Sequence, residues 1–483
     1  MLSIMFIHYA CDDESIIEDS NAQLEFSQDT VRFDTVFTEV GSATRSFRIR
    51  NPHSERIVIS AIELGGRSSQ FRLNIDGNPT SSATDVTMLP NDSLWVFVEV
   101  TVDPDMPLSA SPYVIEEQVF FLTNGNEQVV QLEAWGQNAN YIPNRFSAGE
   151  FTRLSCNNDS LRFDDPKPYV IYGVLIIDSC HVAFPPGTEI YVHGGLARTD
   201  EDVIFNDGLM AFTNTASLQS QGTIDNPVLI TGDRLESEFA DVAGQWSGIR
   251  FLAGSRGNRM TNTTITNSLI GVRVDSSSLL RLENVEISNT AGPGIVGVHS
   301  TIIGENVLVA DNGSFSGLFQ FGGTYSFFYS TFANYQGQSS ALRLDNFICI
   351  GGDCSNGVLT NRMNANFTNC IIFGNDDDEI QLQDAFQGEE PSQFNYTLTN
   401  CIVAVDELID ADQFPTFFDN CDNCINATTD DQLFIDQEMN DYHLDTMSIA
   451  IGQAIPLAIV ERDLEGNQRD LSMPDIGCYE FLE

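Results

Sequence analysis

A glycine followed by aliphatic residues recurs along the middle of the chain. These motifs start at Gly248, Gly271, Gly294 and Gly317, at intervals of 23 residues. A second series starts at Asn262, Asn284 and Asn306, at intervals of 22 residues. A fixed period of this length indicates stacked supersecondary units. Within each unit, aliphatic and polar residues alternate over a few positions, which predicts short β-strands.

The repeats also predict which side chains share a column of the stack. One column is Ile249, Val272, Ile295 and Leu318. The next is Arg250, Arg273, Val296 and Phe319, and it must face the other way because side chains alternate along a strand. Asn267, Asn289 and Asp311 recur at predicted turns, where such residues tolerate left-handed backbone and hydrogen-bond along a ladder. The pattern predicts a right-handed parallel β-helix over residues 139–483, and it disfavours a sandwich with accidental spacing.

The preceding segment, residues 23–138, alternates in the same way but without a repeat. Six or seven strands bounded by turns are expected here, which is the number that a β-sandwich needs. The runs that characterise it are Phe33-Asp34-Thr35-Val36, Asn51-Pro52, Val100-Thr101-Val102-Asp103-Pro104 and Leu132-Glu133-Ala134-Trp135-Gly136. They resemble an immunoglobulin-like family of bacterial surface and ciliary proteins. The resemblance implies a spacer or docking module.

The two ends of the later segment also resemble known proteins. The runs Gln245-Trp246-Ser247-Gly248-Ile249 and Pro474-Asp475-Ile476-Gly477-Cys478-Tyr479-Glu480 are similar to those of bacterial surface right-handed β-helix repeat proteins. That family normally has alanine where Cys478 stands, and Ser-Pro-Ala-Ile-Asp where this chain has Ser448-Ile449-Ala450-Ile451-Gly452. The tail is a signature of architecture and implies no catalytic motif.

The first 22 residues resemble a lipoprotein signal remnant followed by an acidic tether. Met1 to Ile7 is apolar and leads into His8-Tyr9-Ala10-Cys11, although His8 replaces the usual leucine and a basic leader is missing. Asp12-Asp13-Glu14 resembles the surface-export signal of Bacteroidetes lipoproteins. The resemblance implies lipidation at Cys11 and an outer-membrane, cell-surface location. No apolar run approaches the roughly 18 residues of a transmembrane helix, so the membrane is expected to be reached only through the lipid.

Length and charge narrow the classes of function. A chain of 483 residues predicts at least two domains. The formal net charge is -47, with Lys167 as the single lysine, which argues against nucleic-acid binding through basic patches. Such acidity favours solubility and divalent counter-ions such as Ca²⁺. The simpler explanation of the high negative charge is a solvated acidic surface with no specific role.

Ten cysteines are too few for a disulfide scaffold of this length. Cys370 and Cys401 stand in matching Thr-Asn-Cys-Ile contexts and are expected to stack as buried neighbours. A lone Cys421-Asp422-Asn423-Cys424 fits a local disulfide or two thiols better than zinc, which needs a second ligand pair. Two further pairings are open in an oxidising compartment, Cys349 with Cys354 and Cys156 with Cys180.

Candidates for chemistry are few. Stacked on adjacent coils, Arg250 and Arg273 would grip a uronate carboxylate, unless they pair with surface acidic residues. Asp376, Asp377 and Asp378 fit either a Ca²⁺ site or a solvated loop. His443 belongs to the tail and is expected to be structural. An aromatic run forms either a binding platform or part of the core. Its members are Phe319, Phe321, Tyr325, Phe327 and Tyr329.

The sequence therefore predicts an all-β, lipid-anchored surface protein. A non-catalytic role is favoured, in adhesion, glycan binding or as an accessory subunit of an outer-membrane protein complex. Its partner would be that complex or a surface glycan, with no nucleic acid. The alternative is a polysaccharide lyase that acts on acidic glycans through Arg250 and Arg273.

Overall fold

The fold is all-β and divides into two compact units. In this computed structural model, residues 15–482 are described except 38–43, 67–68, 103–112, 145, 200–201, 237–238, 338, 353 and 411–413. Helices in this part are three short 3-10 turns, Glu407–Ile409, Phe417–Asn420 and Gln437–Met439. No helix among the described residues has the length and apolar character to span a bilayer. One unit comprises Met1–Ala139 and Leu235–Ser237, the other Asn140–Arg234 and Glu238–Glu483.

Two sheets packed on one core form the first unit. Its strands are β1 (Glu25–Phe26), β2 (Thr30–Phe37), β3 (Arg45–Arg50), β4 (Ile57–Leu64), β5 (Phe71–Ile75), β6 (Asn78–Pro79), β7 (Ser82–Met88), β8 (Ser93–Val100), β9 (Tyr113–Thr123) and β10 (Asn126–Gln137). The sheet orders are β1-β3-β8-β5-β6 and β2-β10-β9-β4-β7. Every pairing is antiparallel except that of β2 with β10.

Strand alternation explains the core of the first unit. In β8, Leu94 and every second residue after it are buried, while Trp95 and Phe97 face outward. Phe47 of the first sheet and Phe121 of the second belong to one buried apolar cluster. Each sheet therefore presents one apolar face to the other and one face to solvent.

The second unit contains the remaining strands. They are β11 (Asn140–Ile142), β12 (Phe151–Leu154), β13 (Asp159–Arg162), β14 (Tyr169–Ile171), β15 (Val174–Ile177), β16 (Cys180–Phe184), β17 (Glu189–Val192), β18 (Gly195–Arg198), β19 (Ile204–Asp207), β20 (Leu209–Phe212), β21 (Ser217–Gln221), β22 (Val228–Gly232), β23 (Trp246–Phe251), β24 (Asn258–Thr266), β25 (Ser268–Val274), β26 (Leu279–Thr290), β27 (Ile295–Asn312), β28 (Gly317–Phe328), β29 (Thr331–Asn334), β30 (Leu342–Asp345), β31 (Phe347–Cys349), β32 (Val358–Thr360), β33 (Met363–Thr368), β34 (Ile371–Gly374), β35 (Ile380–Gln383), β36 (Phe394–Thr399), β37 (Ile402–Val403), β38 (Cys421–Asp422), β39 (Ile425–Asn426), β40 (Phe434–Asp436) and β41 (Asp441–Leu444).

Most of these strands form one coiled parallel sheet of 25 strands. Each strand pairs in parallel with its equivalent on the next coil, which gives three faces. Face A starts with β12, β15 and β20, face B with β13, β16 and β21, and face C with β11, β14 and β17. Long strands bend across two faces, since β24 pairs with both β21 and β22. The arrangement is β-helix-like, as the repeat predicts.

The interior of the coil is apolar and continuous. Val285 and Ile287 of face C lie in it, and their partners Val307 and Val309 on the next coil do too. Glu286 lies between the first two in sequence and therefore faces outward. The repeat thus separates inside from outside correctly on this face.

The predicted columns of face A hold for three repeats and fail at the fourth. The observed pairing runs through Ile249, Val272, Ile295 and Gly317. The last step spans 22 residues instead of 23, so Leu318 rather than Phe319 follows Val296 in the outward column. Because one residue of slip reverses every side chain, Phe319 turns into the core.

Asparagines with left-handed backbone form ladders at the corners of the coil. Asn267 and Asn289 have φ of 63° and 51°, and the Asn289 amide donates to Asn267 Oδ1 at 2.7 Å. Asp311 is the third rung, with φ of 56°. A second ladder links Asn306 to Asn284 at 2.9 Å and continues to Asn262. The left-handed backbone predicted for Asn267, Asn289 and Asp311 is confirmed, and so is the ladder bond between the first two.

Candidate functional site

The C-terminal segment, residues 428–482, covers the outside of face C. The outward residues Leu308, Ile371 and Ile402 are buried there against Tyr442 and Ile476 of the segment. An apolar outer face of this size would be unstable in water, so the segment closes it. The second unit therefore has two cores, one inside the coil and one beneath this cover.

Arg469 anchors the cover. Its side chain is 3% exposed and pairs with Glu480 at 3.2 Å. Nη2 donates to Asn306 Oδ1 at 2.9 Å, and the guanidinium lies 3.9 Å from the centre of the Tyr329 ring. Tyr329 and Asn306 belong to the coil, so this single side chain ties the segment to two coils.

Where the cover ends, a groove opens beside face C. We call it the polar groove, and its volume is about 420 Å³. The coil contributes Thr223, Ile224, Pro227, Asn262, Thr263, Thr264, Asn284 and Glu286, and the C-terminal segment contributes Leu464, Glu465, Asn467 and Tyr479. Leu308, the partner of Glu286 on the next coil, is already buried under the cover. The groove is therefore built by the edge of the segment against the sheet.

The groove combines unpaired polar atoms with apolar surface. Glu286 accepts one hydrogen bond, from Ser288 at 3.1 Å. Among the described residues, its second carboxylate oxygen and the Thr264 hydroxyl have no protein partner. Ile224, which also lines the groove, is 49% exposed. Acceptors and donors beside apolar patches are what a sugar, with hydroxyls around a C–H face, requires.

Behind the groove lies a hydrogen-bonded histidine. His443 Nδ1 bonds to Asp441 at 2.7 Å, and Nε2 lies 3.3 Å from Glu465. Its ring stacks on Tyr479, with centroids 4.1 Å apart. Although burial lowers the pKa of His443, the bonds to both carboxylates raise it above the usual value. The imidazole thus orients Tyr479 and Glu465 at the groove wall.

The groove is acidic. Burial raises the pKa of Glu286 above its ordinary value, and the bond from Ser288 opposes this shift only in part. Burial raises the pKa of Tyr479 as well, and the charges of Glu286 and Glu465 add to that effect. Two carboxylates with no lysine or arginine in the lining disfavour an anionic ligand.

The structure brings Arg250 and Arg273 together, as their spacing predicts. They are direct partners on adjacent strands of face A. However, both bind one carboxylate: Arg250 Nε lies 2.7 Å and Arg273 Nε 2.9 Å from Asp275. The pairing with a neighbouring acidic residue, which the sequence left open, is the one observed.

Of the two alternatives that the sequence left open for the aromatic run, the structure shows packing in the core. Phe319, Tyr325, Phe327 and Tyr329 are all fully buried, and Phe321 is half-buried. Phe319 stacks on Tyr325 inside the coil with centroids 4.2 Å apart. The register slip turns Phe319 inward, and Tyr325 and Phe327 lie with it in the interior of the coil, whereas Tyr329 lies in the core beneath the C-terminal segment. These four side chains therefore offer no surface to a ligand.

The acidic run is used for structure. Both carboxylate oxygens of Asp378 accept from the backbone of residues 406–408, at 2.8 to 3.1 Å, and so cap a 3-10 turn. In the part of the chain that the structure describes, no three His, Cys, Asp or Glu side chains are grouped to hold a metal. Asp376, Asp377 and Asp378 therefore do not converge as the calcium hypothesis requires.

The cysteines follow their sequence contexts. Disulfides join Cys156 to Cys180 and Cys349 to Cys354. Cys370 and Cys401 are buried thiols, as their matching contexts predict, and they donate to the backbone carbonyls of Phe327 at 3.5 Å and Phe367 at 3.4 Å, respectively. Cys421 and Cys424 are half-buried thiols, which is one of the two states that the sequence left open for them. Cys11 lies outside the described residues.

The sequence did not single out the groove residues as a site. Glu286 was visible only as a polar position in an outward column, and Tyr479 only as part of the tail signature. The sequence did contain one signal. In the outward column of face C, the charged Glu286 precedes Leu308, and the outward positions further along the coil are apolar. What the pattern could not supply is the position of the C-terminal segment.

Comparisons with known proteins add little. No protein-family model and no curated protein sequence matches the chain. Solved structures are similar only at a low level, as three of them illustrate. A family 123 glycoside hydrolase from Clostridium perfringens is 4% identical over 23% of this chain and 26% of that chain, with a TM-score of 0.17. PapD-like domain 7 of human CEP192 is 8% identical over 28% of this chain and 99% of that domain, with a TM-score of 0.17. The catalytic unit of a GH87 α-1,3-glucanase from Streptomyces thermodiastaticus is 9% identical over 74% of this chain and 79% of that chain, with a TM-score of 0.25. These TM-scores are too low to carry an argument.

Proposed function

We propose that the chain is a lipid-anchored surface protein that binds a neutral glycan in the polar groove. In this proposal the first unit is an immunoglobulin-like spacer and the second a right-handed β-helix. The observation that carries it is the groove, in which Glu286, Thr264 and Tyr479 meet beside apolar Ile224 and Leu464. No set of groups in it resembles a nucleophile with its base, so binding without cleavage is favoured.

The charge of the groove selects the class of glycan. Glu286 and Glu465 would repel a uronate or a sulfate, and the chain carries a net charge of -47. Hydroxyl groups, in contrast, donate well to carboxylates, and such hydrogen bonds are stronger than neutral ones. A volume of about 420 Å³ lies within the range of small-molecule sites. Neutral oligosaccharides of a few sugars fit both conditions.

Replacing Glu286 with glutamine is expected to weaken binding of the best neutral oligosaccharide about tenfold. The reason is that a hydrogen bond to a charged acceptor contributes about 1.5–3 kcal/mol, and glutamine keeps only a neutral acceptor. Thr264→Val, which removes one hydroxyl, is expected to weaken it about fivefold. Isothermal titration calorimetry measures these changes in affinity. The ligands are glucan, mannan and xylan oligosaccharides, with oligogalacturonate as the acidic comparison.

Thr397→Val is the matched control, since Thr397 is an exposed threonine on face B and does not line the groove. Its affinity should equal that of the wild type. Tighter binding of oligogalacturonate than of every neutral oligosaccharide would contradict the proposal. Release of new reducing ends during the titration would show that the protein hydrolyses the glycan, and the proposal of binding without cleavage would then be wrong.

The lyase alternative concerns Arg250 and Arg273 on face A. Since Asp275 holds both Nε groups, a uronate would have to compete with a carboxylate already in place. Growth of ultraviolet absorbance from unsaturated products on polyuronates would favour the lyase. Arg273→Gln should then abolish that signal.

The anchoring part of the proposal rests on Ala10-Cys11 and the acidic residues that follow it. In a native host fed an alkyne fatty acid, the wild type is expected to be labelled and Cys11→Ala to lose essentially all label. Cys424→Ala controls for labelling of other thiols. Label retained in Cys11→Ala would contradict lipidation at Cys11. Pull-down of the labelled protein from detergent-solubilised outer membranes then tests whether it belongs to an outer-membrane protein complex.

A further inference from the structure

One outer sheet face of the first unit carries an exposed aromatic pair. Trp95 is 48% and Phe97 38% exposed, although both lie in a regular strand. They are two residues apart on β8, so their side chains leave the same face of the sheet. The rings are stacked, with centroids 6.5 Å apart and 25° between their planes. Together they form a flat apolar surface.

Arginines flank this pair on both neighbouring strands. Arg48 of β3 is the direct cross-strand partner of Trp95, and Arg72 of β5 is the partner of Glu99, two residues beyond Phe97. Arg50 follows on β3 and pairs with Glu25. Within the described part of the chain, neither Arg48 nor Arg72 forms an ion pair. Exposed guanidinium groups without an ion pair stand out in a chain with 69 acidic and 22 basic residues.

The remaining positions of the face are small or polar. Ser46 and Asn74 lie on either side of Phe97 as its cross-strand partners. Glu99 is the nearest carboxylate in register, and it accepts a hydrogen bond from Thr44 at 2.8 Å. The face thus offers two ring planes, two unpaired cations and short hydrogen-bonding side chains, all on a rigid antiparallel sheet.

We propose that this face binds an acidic polysaccharide. Sugar rings would lie on Trp95 and Phe97 through their C–H faces, and carboxylate groups along the polymer would bind Arg48 and Arg72. Guanidinium groups match the planar geometry of a carboxylate and bind it with two parallel hydrogen bonds. Charge complementarity selects this occupant, because anionic groups meet the two unpaired arginines here and are repelled by most of the rest of the chain.

This binding surface is independent of the polar groove. The groove is acidic and belongs to the second unit, whereas the aromatic-arginine face belongs to the first. Each can fail without the other. The ligands differ as well, since a neutral glycan is proposed for the groove and a polyuronate for the sheet face.

Affinity electrophoresis and calorimetry of the full chain with polygalacturonate, and with a neutral galactan for comparison, test the proposal. Arg48→Gln is expected to weaken polygalacturonate binding about tenfold and to reduce its salt dependence. Trp95→Ala is expected to weaken it about fivefold or more. In a Trp135→Phe, Trp246→Phe background, the remaining fluorescence comes from Trp95 and should change on addition of the polymer.

Arg32→Gln and Leu122→Ala are matched controls, because both residues are exposed on the other sheet of this unit. They should bind polygalacturonate like the wild type. Equal affinity for the neutral galactan, or no loss in Trp95→Ala, would overturn the proposal. Light scattering tests whether the face instead binds a second copy of the chain. A dimer that Trp95→Ala abolishes, together with no binding of polygalacturonate, would identify the face as a contact between two copies and would also overturn the proposal.

Discussion

Replacing Arg469 with alanine is expected to lower the free energy of unfolding of the second unit by about 3–5 kcal/mol. The substitution leaves Glu480 as a buried carboxylate without its cation, since the pair is 3% and 7% exposed. It also removes the hydrogen bond to Asn306 and the contact with Tyr329. Removing one partner of a buried pair costs more than the pair itself contributes, because a charge stays desolvated.

Urea unfolding followed by tryptophan fluorescence measures this loss. Trp246 is the only tryptophan of the second unit, and substituting Trp95 and Trp135 with phenylalanine makes the signal specific to it. Arg198→Ala is the control, because its pair with Asp202 is exposed and worth about 0–1 kcal/mol. The double variant Arg469→Met, Glu480→Leu should recover much of the loss, since it removes both charges.

The same substitution tests whether the cover and the groove depend on each other. Glu465, Asn467 and Tyr479 reach the groove from the C-terminal segment. If Arg469→Ala loosens the segment, then glycan affinity should fall together with resistance of residues 428–482 to protease. A loss below about 1 kcal/mol, with an intact groove, would show that the apolar contacts of Leu308 and Ile371 hold the segment without the arginine.

The sequence predicts those parts of the fold that depend on interactions between residues close together in the chain. The repeat of glycines and asparagines predicts parallel strands and the corner ladders, because neighbouring coils repeat the same local chemistry. It fails at Phe319, where one coil is a residue shorter and the register reverses. A fixed period cannot reveal such a slip, although the density of aromatic residues after it favours an interior.

The groove could not be predicted because it depends on a long-range contact. Arg469 and Asn306 are 163 residues apart in sequence, and Arg469 lies in the C-terminal segment, outside the repeat. Local patterns showed Glu286 as an outward polar residue and Tyr479 as part of a tail, without bringing the two together. The stacked arginines were correctly predicted as neighbours, but their shared partner Asp275 decides their chemistry.

Replacing Asp311 with asparagine is expected to stabilise the protein at pH 7.5, by as much as about 3 kcal/mol. Asp311 is 2% exposed and accepts a hydrogen bond from Tyr442 of the C-terminal segment at 2.5 Å. Burial raises its pKa to about 6, although the Tyr442 hydroxyl opposes the shift, and the charge of Glu286 adds to it. Asparagine also matches the other rungs of the ladder, Asn267 and Asn289, and suits the left-handed backbone.

The sign follows from proton binding. The carboxyl group loses its proton near pH 3.8 in the unfolded chain and near pH 6 in the folded one. Between these values the folded state binds more protons, so the contribution of Asp311 to stability falls as the pH rises. Asp311→Asn should therefore equal the wild type near pH 4 and exceed it above pH 6. Glu379, whose pKa burial raises to about 7, is present in both proteins and cancels in the comparison.

Denaturation in urea at pH 4, 5, 6 and 7.5 measures the difference, and Asn289→Asp provides the reverse control. That substitution replaces the donor to Asn267 by a second carboxylate, so it should destabilise the protein at pH 7.5 and less at pH 4. A wild type that is more stable than Asp311→Asn at pH 7.5 would contradict the prediction. It would mean that the Tyr442 hydroxyl stabilises an ionised Asp311 more than burial destabilises it, and that the C-terminal segment is held by a charged hydrogen bond at neutral pH.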